Sequence, residues 1–314
     1  MRLTVKLDGE GYMLGCFIIL NYKDYKITQK AVSCLRRLKD IEKCYIIIYD
    51  NGSQNNSIKI LSEKYNGIDN IIVTGSDVNL GFSEGNNCAY KIAKQLDPDL
   101  RFVVAMNSDL MIHQVNFIAR INEYVVKDYY SIIGPDVYNS HLKWHQSPLY
   151  VKIPSQEKIE EMITLYESRL ADLSKAASER QKSDKKAKLA SRIPYSFISL
   201  YRKMKHVQYD YDYKKIYDNP VISGACIVFL KKYIQNEDLL FEPDTFLYCE
   251  ELLLTIKCKR RGYAILYDPR LSVLHRESVS TKADMRSYQE YVKRESEYMI
   301  RAFRIVLDEI KKDK

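Results

Sequence analysis

The chain lacks the long apolar segments and the cysteine pairs that define several classes of protein. No apolar run approaches the roughly 18 residues that cross a bilayer, and residues 1–17 lack a secretory signal pattern. The seven cysteines form no C-x-x-C pair, and their number is odd. These absences predict a cytoplasmic protein with reduced thiols and no zinc cage.

Glycine-rich phosphate signatures are also missing. Neither G-x-G-x-x-G nor a P-loop follows the first apolar run, where "LNYKDYKIT" (20–28) stands instead. This disfavours a dehydrogenase and a nucleotidyltransferase. The sequence contains no internal repeat.

Charge is concentrated in one segment. The chain has 49 basic and 41 acidic residues and a formal net charge of +8, and residues 169–206 hold eleven of the basic and three of the acidic ones. The alternatives for this segment are a solvated helical hairpin, a contact in a homo-oligomer, and docking on an anionic membrane with the aromatics of "YSFISLY" (195–201) at headgroup level. No nucleic acid is expected as a partner, because no nucleic-acid fold signature accompanies the charge.

The first 110 residues alternate between two hydrophobic periods. Short runs rich in Ile and Val predict strands buried on both faces, at 16–21, 45–50, 71–75 and 102–107. Amphipathic segments predict helices at 25–38, 55–65 and 84–96. The alternation predicts an α/β fold with a parallel sheet, helices on both sides, and ligands at the carboxyl ends of the strands.

The second half predicts further strands separated by an insertion. The strands are expected at 131–138, 221–230 and 264–269, and the insertion covers 151–216. Within the insertion, an amphipathic helix is expected from about 159 to 173. The lysine-rich stretch 178–192 predicts a mobile connection. Residues 284–314 predict a C-terminal helix.

Polar residues end three of the early strands, namely Asn21, Asp50-Asn51 and Asn107-Ser108-Asp109. The Asp50 carboxylate can accept a hydrogen bond from a base N–H or a ribose hydroxyl. The alternative is an Asx turn in which Ser53 caps the next helix.

The segment "NLGFSEGNN" (79–87) leads into a helix. Gly81 and Gly85 allow close backbone approach, and the amides of Asn86 and Asn87 lie near the helix N-terminus, as a nucleotide site requires. An ordinary turn explains the same residues.

Asn107 and Asp109 form a pair of the D-x-D type at a strand end. Two oxygen-bearing side chains on one side can hold the divalent metal that neutralises a diphosphate, with Asp109 the stronger ligand. A strand that simply meets a polar turn is the alternative.

Adjacent carboxylates begin the helix that follows "FEPDTFLYC" (241–249). Glu250 and Glu251 suit the helix dipole, and they could also supply a general base for a sugar hydroxyl. Farther on, His275 follows an apolar strand and is either structural or a contact to metal or phosphate. Arg276 suits phosphate.

Taken in order, these segments resemble the family 2 glycosyltransferases. The matching strings are "FIILNY", "YDNGS", "NLGFSEGNN", "MNSD", "SGACIVF", "FLYCEE" with "KRRGY", and "VLHRES". The resemblance covers about residues 15–150 and 220–281, and it is greatest to the rhamnosyltransferase-like branch of bacterial surface polysaccharide synthesis. It implies a GT-A fold with a Rossmann-like mixed sheet, a nucleoside-diphosphate sugar donor, Mg²⁺ or Mn²⁺, and inversion at the anomeric carbon.

The resemblance also implies roles for individual residues. Asp50 would contact the nucleoside, Asn79 and Gly81 would form the nucleotide-side loop, and Asn107 with Asp109 would hold the metal and diphosphate. Glu251 matches the catalytic base, His275 a histidine near the metal, and Gly224 with Ala225 a small-residue segment near the sugar. Asn21, Asn51 and Arg276 complete the expected substrate contacts. Asp50, Asp109, Glu251 and His275 are expected around one cavity.

Two departures from the family pattern concern the base. Relatives often read E-D-x-D, whereas this chain reads Glu250-Glu251-Leu252-Leu253. The third acid is missing, and Glu251 is one methylene longer than Asp. Either the base is displaced slightly, or Glu250 performs its role, or activity is reduced.

The predicted organisation has four parts: a nucleotide-sugar half (1–150), a basic helical insertion (151–216), an acceptor-side half (217–281) and a C-terminal tail (282–314). The predicted function is sugar transfer to a glycan acceptor on a lipid carrier, in capsule, O-antigen or cell-wall synthesis, at the inner face of the cytoplasmic membrane. The alternative is a non-catalytic subunit that binds nucleotide sugars or acts as a scaffold.

Overall fold

The computed structural model describes residues 13–192, 211–276 and 287–312. In these ranges ten strands form one sheet. They are β1 (Gly15–Asn21), β2 (Cys44–Asn51), β3 (Ile71–Ser76), β4 (Phe102–Asn107), β5 (Leu110–Met111), β6 (Ile132–Asn139), β7 (Trp144–His145), β8 (Tyr217–Asp218), β9 (Cys226–Leu230) and β10 (Ile265–His275). The order is β3-β2-β1-β4-β9-β6-β10-β5, with β7 beside β6 and β8 beside β10.

Helices cover both faces of this sheet. Those within the described ranges are α1 (Tyr25–Leu35), α2 (Ser57–Tyr65), α3 (Gly81–Leu96), α4 (Phe117–Lys127), α5 (Gln156–Ala171), α6 (Leu173–Ser191), α7 (Lys231–Ile234), α8 (Glu250–Arg261) and α9 (Tyr288–Lys312). A short 3-10 helix spans Ile41–Lys43.

The predicted alternation of strands and helices is present in the first half. β3, β2, β1 and β4 are parallel. Successive β1 side chains enter different cores: Phe17 and Ile19 pack with α1 and α2, while Cys16 and Ile18 pack with α3. Burial on both faces explains why these strands are continuous apolar runs instead of alternating ones.

The second half makes the sheet mixed, which confirms the predicted fold class. β9 is antiparallel to β4 and β6, and β10 is parallel to β6. β9 begins only at Cys226, because Val221 pairs with Tyr150 through an isolated bridge before the chain turns. The predicted strand 221–230 is therefore too long at its start.

β10 extends well beyond the predicted strand 264–269. A register shift between Asp268 and Ser272 interrupts its pairing with β6, and the pairing then resumes as far as His275. Pro269 lies within this shift, and a proline followed by an irregular pairing interrupts the periodic pattern from which a strand is predicted. The extension carries His275 to the end of the sheet.

The insertion is helical where it is described. α5 and α9 pack against each other through a cluster that includes Ile159, Ile163, Phe303 and Val306. The predicted mobile connection at 178–192 is wrong, because α6 continues through it to Ser191. The buried apolar side chains of α6 are alanines packed against α9. Because alanine contributes little to a hydrophobic pattern, the periodicity of the sequence does not predict this helix. The aromatic segment 195–201 lies outside the described residues.

Two absences predicted from the sequence can be compared with the structure. All seven cysteines are free thiols, and all except Cys88 are buried, as expected for packing groups. Among the helices of the described ranges, none combines the length and apolar character needed to cross a membrane.

Candidate active site

A cavity of about 190 Å³ lies at the carboxyl ends of β1, β2 and β4. Parallel sheets bind ligands at this edge. Asn51, Asn107 and the segment Ser108–Asp109 line it from the strand ends, and the start of α3 lines it from the side. Residues 246–248 and one face of α9 complete the wall.

Beside this cavity, Asp50 is held within a turn. Its carboxylate accepts hydrogen bonds from Asn21 Nδ2 (2.6 Å), the Ser53 amide (3.0 Å) and the Ser53 hydroxyl (2.7 Å). Asn21 is fully buried, and its Oδ1 accepts from Thr28 Oγ1 at 2.5 Å. The alternative of an Asx turn at Asp50 is thus present, but Ser53 does not cap α2, because that helix begins at Ser57 and the Ser53 hydroxyl donates to Asp50.

Asn51 ties β2 to the loop before α3. Its Nδ2 donates to Asn79 Oδ1 (3.1 Å) and to the Gly81 carbonyl (2.8 Å), while its Oδ1 accepts from the Leu80 amide (3.0 Å). Asn79 Oδ1 also accepts from the Gly81 amide at 2.9 Å. This network fixes the shape of the predicted nucleotide-side loop, and Asn51, Asn79 and Gly81 all face the cavity.

Gly81 occupies a position where a side chain does not fit. Its φ is +82°, and a Cβ there would lie 2.4 Å from the carbonyl oxygen of Phe246. The Phe82 amide donates to that same carbonyl at 2.9 Å. The requirement for glycine thus comes from the close approach of residues 246–248 to the start of α3.

At the end of β4, Asp109 lies beside His275. Asp109 Oδ2 is 3.2 Å from His275 Nε2, and both side chains are largely buried. His275 Nδ1 is 2.7 Å from Gln146 Oε1. A histidine that donates from Nδ1 to Gln146 presents Nε2 for a metal, which is a common arrangement in metal sites.

Two protein ligands are fewer than a dedicated metal cage contains. No group of three or more His, Cys, Asp or Glu side chains suited to a metal occurs in the described ranges. Mg²⁺ and Mn²⁺ in nucleotide sites are held by one or two side chains together with substrate phosphates and waters. Asp109 and His275 fit an ion of that kind, which would arrive with a diphosphate.

Glu250 and Glu251 begin α8 and have abnormal acidities. Burial, followed by the charge of Glu251, raises the pKa of Glu250 to about 8. Burial raises the pKa of Glu251 to about 6. Glu250 is 5% exposed, and among the described residues its Oε1 has no hydrogen-bond partner. Burial thus favours the protonated form of both carboxyl groups, and more strongly for Glu250 than for Glu251.

Glu251 lies next to the small-residue segment before β9. Its Oε2 is 3.2 Å from where a Cβ on Gly224 would stand, so any side chain at 224 would crowd the carboxylate. The next residue, Ala225, accepts a hydrogen bond from the Asn107 amide at 2.9 Å. This chain of contacts connects Glu251 to the strand end that carries Asp109.

The predicted site residues are thus partly brought together. Asn51, Asn79, Gly81, Asn107 and Asp109 line one cavity, and His275 pairs with Asp109. Ala225 is bonded to Asn107, and Glu251 lies beside Gly224. Of the four side chains expected around one cavity, only Asp109 is among its described lining residues. Asp50 is separate: it borders a neighbouring groove with Gly52 and Ser53. Arg276 also turns away, into a basic groove along α1.

The sequence prediction missed the contribution of α9. Tyr291, Arg294, Glu295 and Tyr298 line the cavity. The Tyr298 ring stacks on Phe246, with centroids 5.3 Å apart and an interplanar angle of 26°. These positions follow helical spacing, but nothing in the sequence indicates which surface that face of the helix covers.

An ion pair from the insertion holds this part of α9 in place. Arg180 of α6 donates to Glu295 Oε1 (3.2 Å) and to the Tyr291 hydroxyl (3.0 Å). The Tyr291 hydroxyl in turn donates to Glu295 Oε1 (3.0 Å). The insertion therefore supports one wall of the cavity without lining it.

Solved structures with a similar fold are glycosyltransferase structures. S. aureus TarS 1-349 in complex with UDP-GlcNAc aligns with a TM-score of 0.50 at 14% identity, over 87% of this chain and 62% of that one. The mannosyltransferase PcManGT from Pyrobaculum calidifontis with GDP-Man and Mn²⁺ gives 0.51 at 9% identity, over 99% of this chain and 76% of that one. GalNAc-T7 with UDP, GalNAc and Mn²⁺ gives 0.51 at 11% identity.

The alignment with GalNAc-T7 covers 86% of this chain but only 45% of the GalNAc-T7 chain. It therefore spans less than two thirds of the GalNAc-T7 and TarS structures. At such identities the likeness concerns the fold, and it confirms the expected GT-A architecture. No curated protein sequence matches the chain at a significant level.

The family itself is identified by sequence. The profile described as "Glycosyl transferase family 2" matches residues 16–203, which is more than half of the 314 residues. The match begins at β1 and includes the Asn51 network and the Asn107-Ser108-Asp109 strand end described above. This chain belongs to glycosyl transferase family 2.

Proposed function

We propose that the protein transfers a sugar from a nucleoside-diphosphate donor to a glycan acceptor, with inversion at the anomeric carbon. The observation that carries the proposal is the arrangement at the end of β4. Asp109 pairs with His275 there. Glu251 lies beside Gly224, and the next residue, Ala225, accepts a hydrogen bond from the backbone amide of Asn107. A metal-binding pair next to a base is the minimum that single-displacement sugar transfer requires.

The donor would occupy the cavity between the strand ends and α9. The Asn51 and Asn79 loop would contact the nucleotide, and Asp109 with His275 would hold a divalent ion on its diphosphate. When bound, that ion would act as a Lewis acid for the departing phosphate. Arg294 faces the same cavity, and its guanidinium suits the donor phosphates.

Glu251 would act as the general base. Its carboxylate takes the proton of the acceptor hydroxyl while the hydroxyl oxygen forms a bond to the anomeric carbon. The bond from that carbon to the nucleoside diphosphate breaks in the same step. A base with a pKa of about 6 is mostly ionised at neutral pH and still basic enough to assist, which favours it over a typical exposed glutamate.

The finer features of the proposal rest on resemblance and charge. The rhamnosyltransferase-like motifs support rhamnose or another hexose as the sugar, and a lipid-linked glycan in capsule, O-antigen or cell-wall synthesis as the acceptor. The lysines of α6 support peripheral docking at the inner face of the cytoplasmic membrane. Mg²⁺ and Mn²⁺ are both compatible with the Asp109 and His275 ligands.

Donor turnover with and without Mn²⁺ tests the proposal. Wild type is expected to release nucleoside diphosphate from a matching sugar donor. Glu251→Gln should keep donor affinity but lose turnover by about 10²- to 10⁴-fold, the usual contribution of a general base. The matched variant Glu250→Gln, one residue away, should retain most activity. Full turnover by Glu251→Gln would contradict the assignment of the base.

A non-catalytic donor-binding subunit is the second candidate. It is favoured by the sequence Glu250-Glu251-Leu252-Leu253, which lacks the third acid of E-D-x-D. Such a protein would bind nucleotide sugars through the same cavity but would neither transfer nor hydrolyse them. Binding without turnover across nucleoside diphosphate sugars would therefore support this function instead.

A further inference from the structure

A second groove of about 400 Å³ runs along the outer face of α1. Among the described residues its lining contains five basic side chains and no acidic one: Lys26, Lys30, Arg37, Lys64 and Arg276. We call this feature the basic groove. The sum of charges outside residues 169–206 is close to neutral, so the sequence composition does not reveal it.

The five cations come from three parts of the fold. Lys26 and Lys30 lie one turn apart on α1, and Arg37 lies two residues after the helix ends; the helix itself spans about 16 Å at 1.5 Å per residue. Lys64 flanks these residues from α2, and Arg276 flanks them from the end of β10. All five are exposed, so the groove is open to a ligand from solvent.

The acids of these two helices are engaged elsewhere. Asp24 caps α1 by accepting from the Ile27 amide at 3.0 Å. Glu63, the acidic residue of α2, faces Lys59 at 3.9 Å. Cys34 is one of the lining residues; burial raises the pKa of its thiol, and the charges of Arg37 and Arg276 oppose that rise. Like charges gathered in this way repel one another unless an anion is bound.

The basic groove begins directly beside the proposed active site. The Arg276 amide donates to the Asp109 carbonyl at 3.0 Å, and β5, which follows Asp109, provides Met111 to the groove wall. A ligand lying in the groove would therefore reach the edge of the sheet at which the sugar would be transferred.

We infer that the basic groove binds the phosphate groups of an anionic acceptor substrate. This inference rests on the proposed function, since the groove adjoins the strand end that carries Asp109, where the donor diphosphate would lie. Its length suits several phosphates spaced along a chain better than one isolated phosphate. Cations arranged in this way position such a chain electrostatically and raise its local concentration.

The lining chemistry favours a phosphate-bearing chain over a membrane surface or a nucleic acid. Besides the cations, the groove is lined by Gln29, Ser33, Cys34, Met111 and His113. Membrane-interface sites use large aromatic anchors, and sites for single-stranded nucleic acids stack bases on aromatic rings. Neither Phe, Tyr nor Trp is present among the described lining residues.

The test uses the full chain and long-chain inorganic polyphosphate as the probe. The variant Lys26→Gln/Lys30→Gln/Arg37→Gln should bind polyphosphate at least about tenfold more weakly than wild type at moderate salt. The charge-matched control Lys91→Gln/Arg101→Gln/Lys127→Gln changes exposed residues on other surfaces and should bind like wild type. Equal weakening in both variants, or none in either, would overturn the inference.

Two further measurements separate the alternatives. Vesicles of phosphatidylglycerol replace polyphosphate in a second arm, and a loss confined to vesicles would assign the groove to the membrane and overturn the acceptor assignment. Donor hydrolysis is measured in parallel and should be unchanged in both triple variants. If wild type hydrolyses no donor, the proposed function fails, while the polyphosphate comparison still reports on the groove.

Discussion

Glu250 and Glu251 are chemically identical neighbours with different environments. Glu250 points into the protein, where burial raises its pKa to about 8, while Glu251 lies beside Gly224 with a pKa of about 6. When the environments of two carboxyl groups hold their pKa values apart, the group with the lower pKa is the better candidate for a base at pH 7, and the other is the better candidate for a neutral acid. The proposed base is therefore Glu251, with Glu in place of the usual Asp.

The activity should depend on pH through Glu251. The base is lost when it is protonated, so kcat/KM should fall as the pH drops through about 6, which is the pKa of Glu251, and should approach a tenfold loss per pH unit below it. A pH–rate profile of donor turnover with saturating metal measures this. Glu250→Gln is the control, and its kcat/KM should fall through the same pH range as that of wild type. A fall in wild-type kcat/KM that begins near pH 8 and is absent in Glu250→Gln would instead identify Glu250 as the base.

The stability should also depend on pH, through Glu250. Its pKa rises from about 4.5 in the unfolded chain to about 8 in the folded one, so the folded state binds the extra proton between these values. The free energy of unfolding should therefore fall as pH rises through this window, by at most about 1.4 kcal/mol per unit.

Urea denaturation at several pH values within this window measures the effect. Glu250→Gln removes the titrating group, so its stability should vary less with pH than that of wild type. Glu290→Gln, an exposed change on α9, serves as the control and should follow the wild-type slope. Parallel slopes for wild type and Glu250→Gln would show that the carboxyl group is not held protonated.

At the level of elements, the start of α3 is defined by what packs on it. The Asn51 network holds the loop from one side, and the Phe246 carbonyl approaches Gly81 from the other. Gly81 combines a positive φ with this close approach, whereas Gly67 has a φ of +77° and no neighbour within 4 Å of its Cβ position. Substitutions at these two glycines therefore distinguish the cost of backbone strain from the cost of steric overlap.

Gly81→Ala should lower the free energy of unfolding by about 2 to 4 kcal/mol, because it adds a backbone clash to the strain of a left-handed conformation. Gly67→Ala should cost only the strain, about 1 kcal/mol. Chemical denaturation of both variants compares them directly. Equal losses would mean that residues 246–248 move aside without cost. Gly81→Ala should also weaken nucleotide binding, since the loop shapes the cavity.

Two helices from the second half of the chain, α6 and α9, complete the candidate site. α9 covers the cavity with Tyr291, Arg294, Glu295 and Tyr298, and Arg180 of α6 holds it there through Glu295. The ion pair is partly buried, and its loss would leave Glu295 without its basic partner next to the cavity. Residues of the insertion and the tail thus help to form and hold one wall of the cavity.

For the whole molecule, donor binding should appear as stabilisation. A ligand that binds only the folded state raises the free energy of unfolding by RT ln(1 + [L]/Kd), about 2.7 kcal/mol at one hundred times Kd. A matching nucleoside diphosphate with Mn²⁺ should raise Tm by a few degrees. Asp109→Asn should abolish the part of the shift that depends on Mn²⁺. A shift of equal size without metal would argue against a metal at Asp109 and His275.

Much of the architecture and part of the site could be predicted from local pattern. Ile- and Val-rich runs predict the parallel strands because both faces of such strands are buried, and their polar ends predict that Asn51, Asn107 and Asp109 share an edge. The pattern was less informative for β9 and β10, where a bridge at Val221 and a register shift after Asp268 alter the strand limits. These features depend on pairing partners distant in sequence.

The sequence by itself determined the alternation of strands and helices in the first half, the family, and the residue types at the strand ends, because each depends on short-range periodicity or on ordered motifs. Only the tertiary structure decided that Asp50 faces a separate groove, that α9 closes the cavity, and that five scattered cations converge along α1. These are contacts between elements far apart in the chain, and they depend on how each helix face is turned after packing.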